Sequence, residues 1–334
     1  MILIWLLIFV LSLTLLVKSA DWFVESAEKI GLALKISPFI IGVTIVAIGT
    51  SFPELASSIA AVLKGESQIV AANVIGSNIA NIFLIVGLSA IVARILVVKR
   101  SLIDLDAPLL AGTTALFVLI SLDKRISLSE GIFLIVAFLI YLLYTIAQRK
   151  GAEEPEMEKE KIVEVLPSRA DRRERKIFGW FKKRERLGFK VFLFLILGII
   201  GLIIGANYTI DSLIKLSEIL KIPSSLVAIF ALAVGTSLPE LAVSLKAAAK
   251  KKYEIALGNV FGSNVFNVLL ITGVPSLISP LSIDNLTFSV GLPFLVVATV
   301  LFVISGISKR VHIWEGSIYL LLYVLFLIKL FNFF

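Results

Sequence analysis

Glu54 closes the hexapeptide Gly49-Thr50-Ser51-Phe52-Pro53-Glu54, and Glu240 closes Gly235-Thr236-Ser237-Leu238-Pro239-Glu240. Each carboxylate lies about 16 residues into an apolar run, with Lys246 the one cation within two helical turns. Every element of the hexapeptide either loosens a helix or offers oxygen. Pro53 has no N–H, so the carbonyl of Gly49 loses its helical partner, and Pro239 does the same to Gly235. Thr50, Ser51, Thr236 and Ser237 add hydroxyls one turn from the acids. A second motif follows each hexapeptide: Asn73-x-x-Gly76-Ser77-Asn78-x-x-Asn81, then Asn259-x-x-Gly262-Ser263-Asn264-x-x-Asn267. Spacings of four put Asn73, Ser77 and Asn81 on one helix face, and likewise Asn259, Ser263 and Asn267. Gly76 and Gly262 allow a neighbouring helix close approach. The donors are carboxylates, hydroxyls, amides and freed carbonyls, with no nitrogen or sulfur ligand. Such all-oxygen sets suit hard cations such as calcium and sodium.

A plainer reading makes the Ser/Asn rows packing glue and lets each Glu pair with a Lys or reach an interface. Packing glue does not require a Pro-Glu pair placed alike in two segments. Asp21, Glu25 and Glu28 read as solvated or interfacial. The chain has no cysteine and a single histidine, His312, which excludes disulfides, thiolate metal sites and Cys/His catalysis. His312 precedes the last apolar run, where it reads as an interfacial anchor. Ser51 and Ser237 have no His or Cys partner, so an intramembrane enzyme is not expected.

These residues need a scaffold that lives in lipid. Of 334 residues 58% are hydrophobic, against roughly 45–50% in ordinary globular domains. The excess falls in uncharged runs about as long as the ~20 residues that cross a bilayer. The pattern predicts an all-α polytopic membrane protein of ten spans, near 1–17, 38–62, 68–93, 107–122, 130–147, 189–206, 223–245, 254–280, 286–305 and 313–331. Met1 to Val17 lacks the basic residues that precede a signal peptide's apolar core, so it is read as a retained helix. Between the fifth and sixth spans, 148–190 holds 14 Lys/Arg and 9 Asp/Glu, which is +5 of the net +8. A basic loop of this kind reports orientation rather than nucleic-acid binding. The expected organisation is 1–147, a charged cytoplasmic linker at 148–188, and 189–334.

The two halves are copies. At an offset of 186, residues 47–81 match residues 233–267 at 18 of 35 positions without a gap, and the matches include Gly, Thr, Ser, Pro, Glu and Asn. Five spans per copy make the second copy enter the membrane from the opposite side. With the linker in the cytoplasm, inner loops hold 26 of the 32 Lys/Arg, in the sense of the positive-inside rule. Both termini are then expected outside a plasma-membrane protein. Inverted repeats are a transporter architecture, with sites near the midplane between the copies.

On these motifs the sequence resembles the sodium/calcium exchanger family, whose two repeats carry G-T-S-x-P-E followed by G-N-x-x-G-S-N-x-x-[ND]. The resemblance implies ion ligands at the backbone of Ala47 and Ala233 and at the side chains of Thr50, Ser51, Glu54, Thr236, Ser237 and Glu240. Ser77, Asn81, Ser263 and Asn267 fall on the family's remaining motif positions. It further implies one calcium site overlapping sodium sites, with the first and sixth helices sliding to alternate access. The expected partners are calcium and sodium ions and the bilayer, with no cofactor, nucleic acid or obligate protein partner. The sequence departs from the family at Ala72, where Gly is common, and at Asn267, where many exchangers carry Asp. Two central carboxylates remain, a formal −2 that matches one calcium or two sodium ions. Two other transport readings stay open: a proton-coupled calcium antiporter and a cation channel.

Overall fold

A computed structural model describes residues 2–33, 50–97, 107–163, 188–251 and 253–331. Helices dominate. Among the described residues, seven are long and apolar enough to cross a membrane, or eight if the bent pair Ser224–Thr236 and Leu238–Ala249 is one span. Phe52–Leu63 and Ala107–Asp123 are apolar but shorter. The expected second span, 38–62, is described only from Thr50 onward.

Several helices outrun their apolar cores. The first, Ile2–Ala33, and its counterpart Phe189–Leu220 each continue through charged residues where the hydropathy pattern stops at 17 and 206. A charge ends an apolar run without ending a helix, and pairs three residues apart even support it. Lys18 meets Asp21 at 3.5 Å and Lys215 meets Glu218 at 2.7 Å in these extensions. Leu128–Val163 likewise runs past residue 147 into the segment expected to be linker.

The fold is mostly helical, as expected, and among the described residues four short strands also form two antiparallel ribbons. Ile95–Val97 pairs with Arg310–His312, and Arg125–Ile126 pairs with Leu281–Ser282. At the 186-residue offset the first strand corresponds to the third and the second to the fourth, so the pairing is crosswise. These segments link helix ends, where an extended turn must satisfy its own backbone and finds a partner in the opposite half.

Burial divides the helices into an inner and an outer set. Of the most apolar stretch, 83% is buried in Ser67–Ala93 and 78% in Ala256–Ser276, against 28% in both Ile2–Phe23 and Phe189–Leu220. The inner pair carries the Asn/Ser motifs. The outer pair packs together through Gly198, Gly201 and Gly205, where an added Cβ would come within 3 Å of Phe23, Ser19 or Leu16. Gly76 lets the inner helix Ser67–Ile79 approach the Ala228–Leu232 segment, since a Cβ there would lie 2.2 Å from the carbonyl oxygen of Ile229.

The inner helices are not uniform. Ala80–Val86 and Asn267–Ile271 are wound as π-helix, at matching places in the two halves, and each includes the last Asn of its motif. A π turn adds a residue and rotates the following side chains, a device common at functional sites.

Candidate ion-binding site

Both Pro-Glu pairs begin a helix. Ser51 (φ −93°, ψ 10°) and Ser237 (φ −82°, ψ 9°) leave the helical region, and new helices start at Phe52 and Leu238. The second break bends the chain by 41°. Proline is tolerated at this place because the first N–H groups of a helix have no internal partner anyway. Glu54 and Glu240 consequently occupy first turns, where the positive end of the helix dipole favours an anion. Both are buried, at 1% and 0% exposure.

The acids are held crosswise. Ser51 Oγ donates to Glu240 Oε1 at 2.8 Å, and Ser237 Oγ donates to Glu54 Oε1 at 3.1 Å. Each serine therefore serves the acid of the opposite hexapeptide. Thr50 also bonds the Glu240 carboxylate, while Thr236, near Glu54, donates its hydroxyl to the backbone carbonyl of Leu232 at 3.0 Å. Ser263 Oγ adds a longer contact to Glu240 Oε1, at 3.4 Å. The second oxygen of each acid, Oε2, is buried without a protein partner. Among the described residues no Lys or Arg is buried, and no ion pair involves either acid. Two desolvated carboxylates thus lie within electrostatic reach of each other with hydroxyl and dipole support and no protein cation.

The amides are also crossed. Asn81 Nδ2 donates to Asn264 Oδ1 at 3.0 Å, and Asn267 Nδ2 donates to Asn78 Oδ1 at 2.9 Å. Asn78 Nδ2 donates in turn to the backbone carbonyl of Asn264 at 3.1 Å. All four side chains are buried. With their N–H groups engaged, Asn81 Oδ1 and Asn267 Oδ1 are left buried and unpartnered. The π segment holding Asn81 packs on Leu238–Ala249, the helix of Glu240, and that holding Asn267 packs on Phe52–Leu63, the helix of Glu54.

Of the residues expected in the site, the structure gathers Thr50, Ser51, Ser263 and Glu240 into one cluster and Thr236, Ser237 and Glu54 into another. Asn81 and Asn267 each bond the opposite repeat, to Asn264 and Asn78 respectively. Ser77 is buried with its hydroxyl unpartnered. Ala233 is buried, and its carbonyl accepts the Ser237 N–H at 3.1 Å. Ala47 and Gly49 lie outside the described residues. The sequence reading left Asn78 and Asn264 without a role. Their repetition at the same place in both motifs was the available signal. An unpartnered buried acceptor costs about 1–3 kcal/mol and more if charged. Here acceptor-only atoms of Glu54, Glu240, Asn81 and Asn267 are all buried without protein partners, and oxygens of this kind are what a hard, dehydrated cation takes as ligands. Among the described residues no group of three or more His, Cys, Asp or Glu side chains is brought together, so the charge at this centre comes from two acids.

Comparison with known proteins gives the same direction. The sequence model of the family described as sodium/calcium exchanger protein matches residues 4–147 and 190–332. The chain is 34% identical to the sodium/calcium exchanger MaX1 of Methanosarcina acetivorans, over 97% of this chain and 98% of that one. It is 32% identical to the inner membrane protein YrbG of Escherichia coli, over 88% and 86%. Solved structures of the sodium-calcium exchanger NCX_Mj, 30% identical, superpose over 97% of this chain and 98% of theirs with a TM-score of 0.63. Together with its apolar helices, these matches identify an integral membrane protein, and the chain belongs to the sodium/calcium exchanger family.

Proposed function

We propose that the protein is a secondary antiporter of the plasma membrane that exchanges sodium for calcium by alternating access. In this reading ten spans form two inverted repeats, 1–147 and 189–334, joined by a cytoplasmic linker at 148–188, with both termini outside. The loop charges support the orientation, and the crosswise pairing of counterpart serines, asparagines and strands supports the two-fold arrangement. The ions bind near the midplane between the repeats. Their ligands are the carbonyls of Ala47 and Ala233 and the side chains of Thr50, Ser51, Glu54, Ser77, Asn81, Thr236, Ser237, Glu240, Ser263 and Asn267.

The observation that carries the proposal is the pair of buried acids, each bonded through one oxygen to the opposite repeat and each with its other oxygen unpartnered. Such a centre needs positive charge from outside the protein, and one calcium ion or two sodium ions supply it. The protein itself contributes no cofactor chemistry and makes no covalent step. Its task is to replace the hydration shell and to expose the site to one side at a time. The outer helices Ile2–Ala33 and Phe189–Leu220, packed on each other and largely open to lipid, are the elements that slide.

Calcium uptake by proteoliposomes tests the reading. An outward sodium gradient is expected to drive accumulation of external calcium, and an equal proton gradient or no gradient is not. Uptake driven by protons and indifferent to sodium would replace sodium by protons as the coupling ion. Uptake that runs down the calcium gradient alone would make the protein a channel.

A further inference from the structure

Asn267 has two faces, an N–H₂ that repels a cation and a carbonyl that binds one, and something must decide which is presented. We propose that Asn78 and Asn264 are positioning residues that set the amides of Asn267 and Asn81 with their oxygens toward the transported cation. The proposal rests on the functional reading above and assigns roles to two residues outside its ligand set.

One group in this network has a fixed polarity. The backbone carbonyl of Asn264 can only accept, so the atom of Asn78 that lies 3.1 Å from it must be the N–H₂. That leaves Asn78 Oδ1 on the other side of the same planar amide. The atom of Asn267 at 2.9 Å from this oxygen must then be a donor, its Nδ2. Asn267 Oδ1 is thereby turned the other way, buried and without a protein partner. One carbonyl in the helix Tyr253–Phe266 thus dictates, through two amides, which atom of Asn267 is left for the ion. Asn81 is held by one link of the same kind, since its Nδ2 donates to Asn264 Oδ1 at 3.0 Å. Asn264 Nδ2 is itself unpartnered, so nothing anchors this second chain and Asn81 is oriented less firmly than Asn267.

The relay fits an amide at position 267, or a protonated acid, since either can donate to Asn78 Oδ1. An ionised carboxylate there would set oxygen against Asn78 Oδ1. Turning the Asn78 amide over would relieve that contact but would face its oxygen with the carbonyl of Asn264. Asn78 and Asn267 are chemically matched, and with Asn267 neutral the centre keeps only the charges of Glu54 and Glu240.

A carboxylate has no wrong way round, and this gives a test that a merely structural role fails. Calcium dissociation constants are measured by titration calorimetry on purified, monodisperse protein at alkaline pH, which favours the ionised form of an introduced carboxyl. Asn78→Ala is expected to raise the calcium Kd about fivefold in the wild-type background, the worth of one hydrogen bond between neutral groups. In an Asn267→Asp background the same substitution is expected to leave Kd unchanged or to lower it. An equal rise in both backgrounds, or none in either, overturns the proposal. Should Asn78→Ala not fold, Asn78→Ser keeps a polar group and a smaller void. The parallel cycle of Asn264→Ala with Asn81→Asp is expected to show the same pattern with a smaller rise. Glu54→Gln and Glu240→Gln serve as controls on the functional reading. If they bind calcium like the wild type, the site assignment fails; if they lose it while Asn78→Ala acts alike in both backgrounds, the relay alone fails.

Discussion

Glu54 and Glu240 occupy matching positions, yet the two halves hold them differently. Glu240 is bonded by Ser51, Thr50 and Ser263, and its backbone carbonyl accepts from Asn259 Nδ2 at 3.3 Å. Asn259 also donates to Ser244 Oγ at 3.1 Å, bracing helix Leu238–Ala249 against helix Tyr253–Phe266. In the first half Ser57 Oγ bonds the Glu54 carbonyl within its own helix at 3.0 Å. Its counterpart is Val243, which has no hydroxyl. The brace from the neighbouring helix is accordingly missing in the first half: both polar atoms of Asn73 and the hydroxyl of Ser58 are buried without partners. One residue difference therefore separates a backbone carbonyl braced from the neighbouring helix, at Glu240, from one satisfied within its own helix, at Glu54. The lesson is that a duplicated motif need not give two equivalent half-sites. The second half is braced between two helices, and the first keeps buried polar atoms without protein partners.

The largest expected effect breaks the symmetry altogether. Glu54→Gln and Glu240→Gln should each lower sodium-driven calcium flux by on the order of a hundredfold or more, because a single remaining charge opposes a desolvated divalent ion and interior Coulomb terms amount to several kcal/mol. Membrane insertion and a monodisperse elution profile should persist. Flux near the wild-type rate in either variant would detach the acids from transport.

A smaller effect sharpens the comparison of the two braces. Asn259→Ala removes the donor to Glu240 and should lower the unfolding temperature in detergent, with a loss of about 1–3 kcal/mol. Asn73→Ala removes an amide with no protein partner and should be neutral or stabilising. In a Ser57→Val background the Glu54 carbonyl becomes available to Asn73, and Asn73→Ala should then destabilise as Asn259→Ala does. Equal losses from both single substitutions would show that the halves are braced alike.

Much of this was legible in the sequence because carboxylates, Pro and Asn are rare in apolar helices. Their repetition at a fixed offset marked the hexapeptides, and the structure brings together the expected Thr50, Ser51 and Glu240 and the expected Thr236, Ser237 and Glu54. Helix ends were less legible, since hydropathy follows lipid contact while Lys18, Asp21, Lys215 and Glu218 extend helices by local pairing. The π turns at Asn81 and Asn267 leave no compositional mark, because one extra residue in an all-apolar stretch changes no pattern. Asn78 and Asn264 escaped for a different reason. Their role depends on contacts between residues more than 180 apart in sequence, and spacing alone could not distinguish them from packing amides.

In the proposed mechanism sodium and calcium compete for one centre built on Glu54 and Glu240. Equilibrium calcium binding to the purified protein, measured at increasing sodium in place of choline, tests it most directly. Sodium is expected to raise the calcium Kd more steeply than in proportion to its concentration, while the number of sites stays constant, and either Glu→Gln variant is expected to lose high-affinity binding. Calcium binding that is indifferent to sodium, or that survives both substitutions, would contradict it.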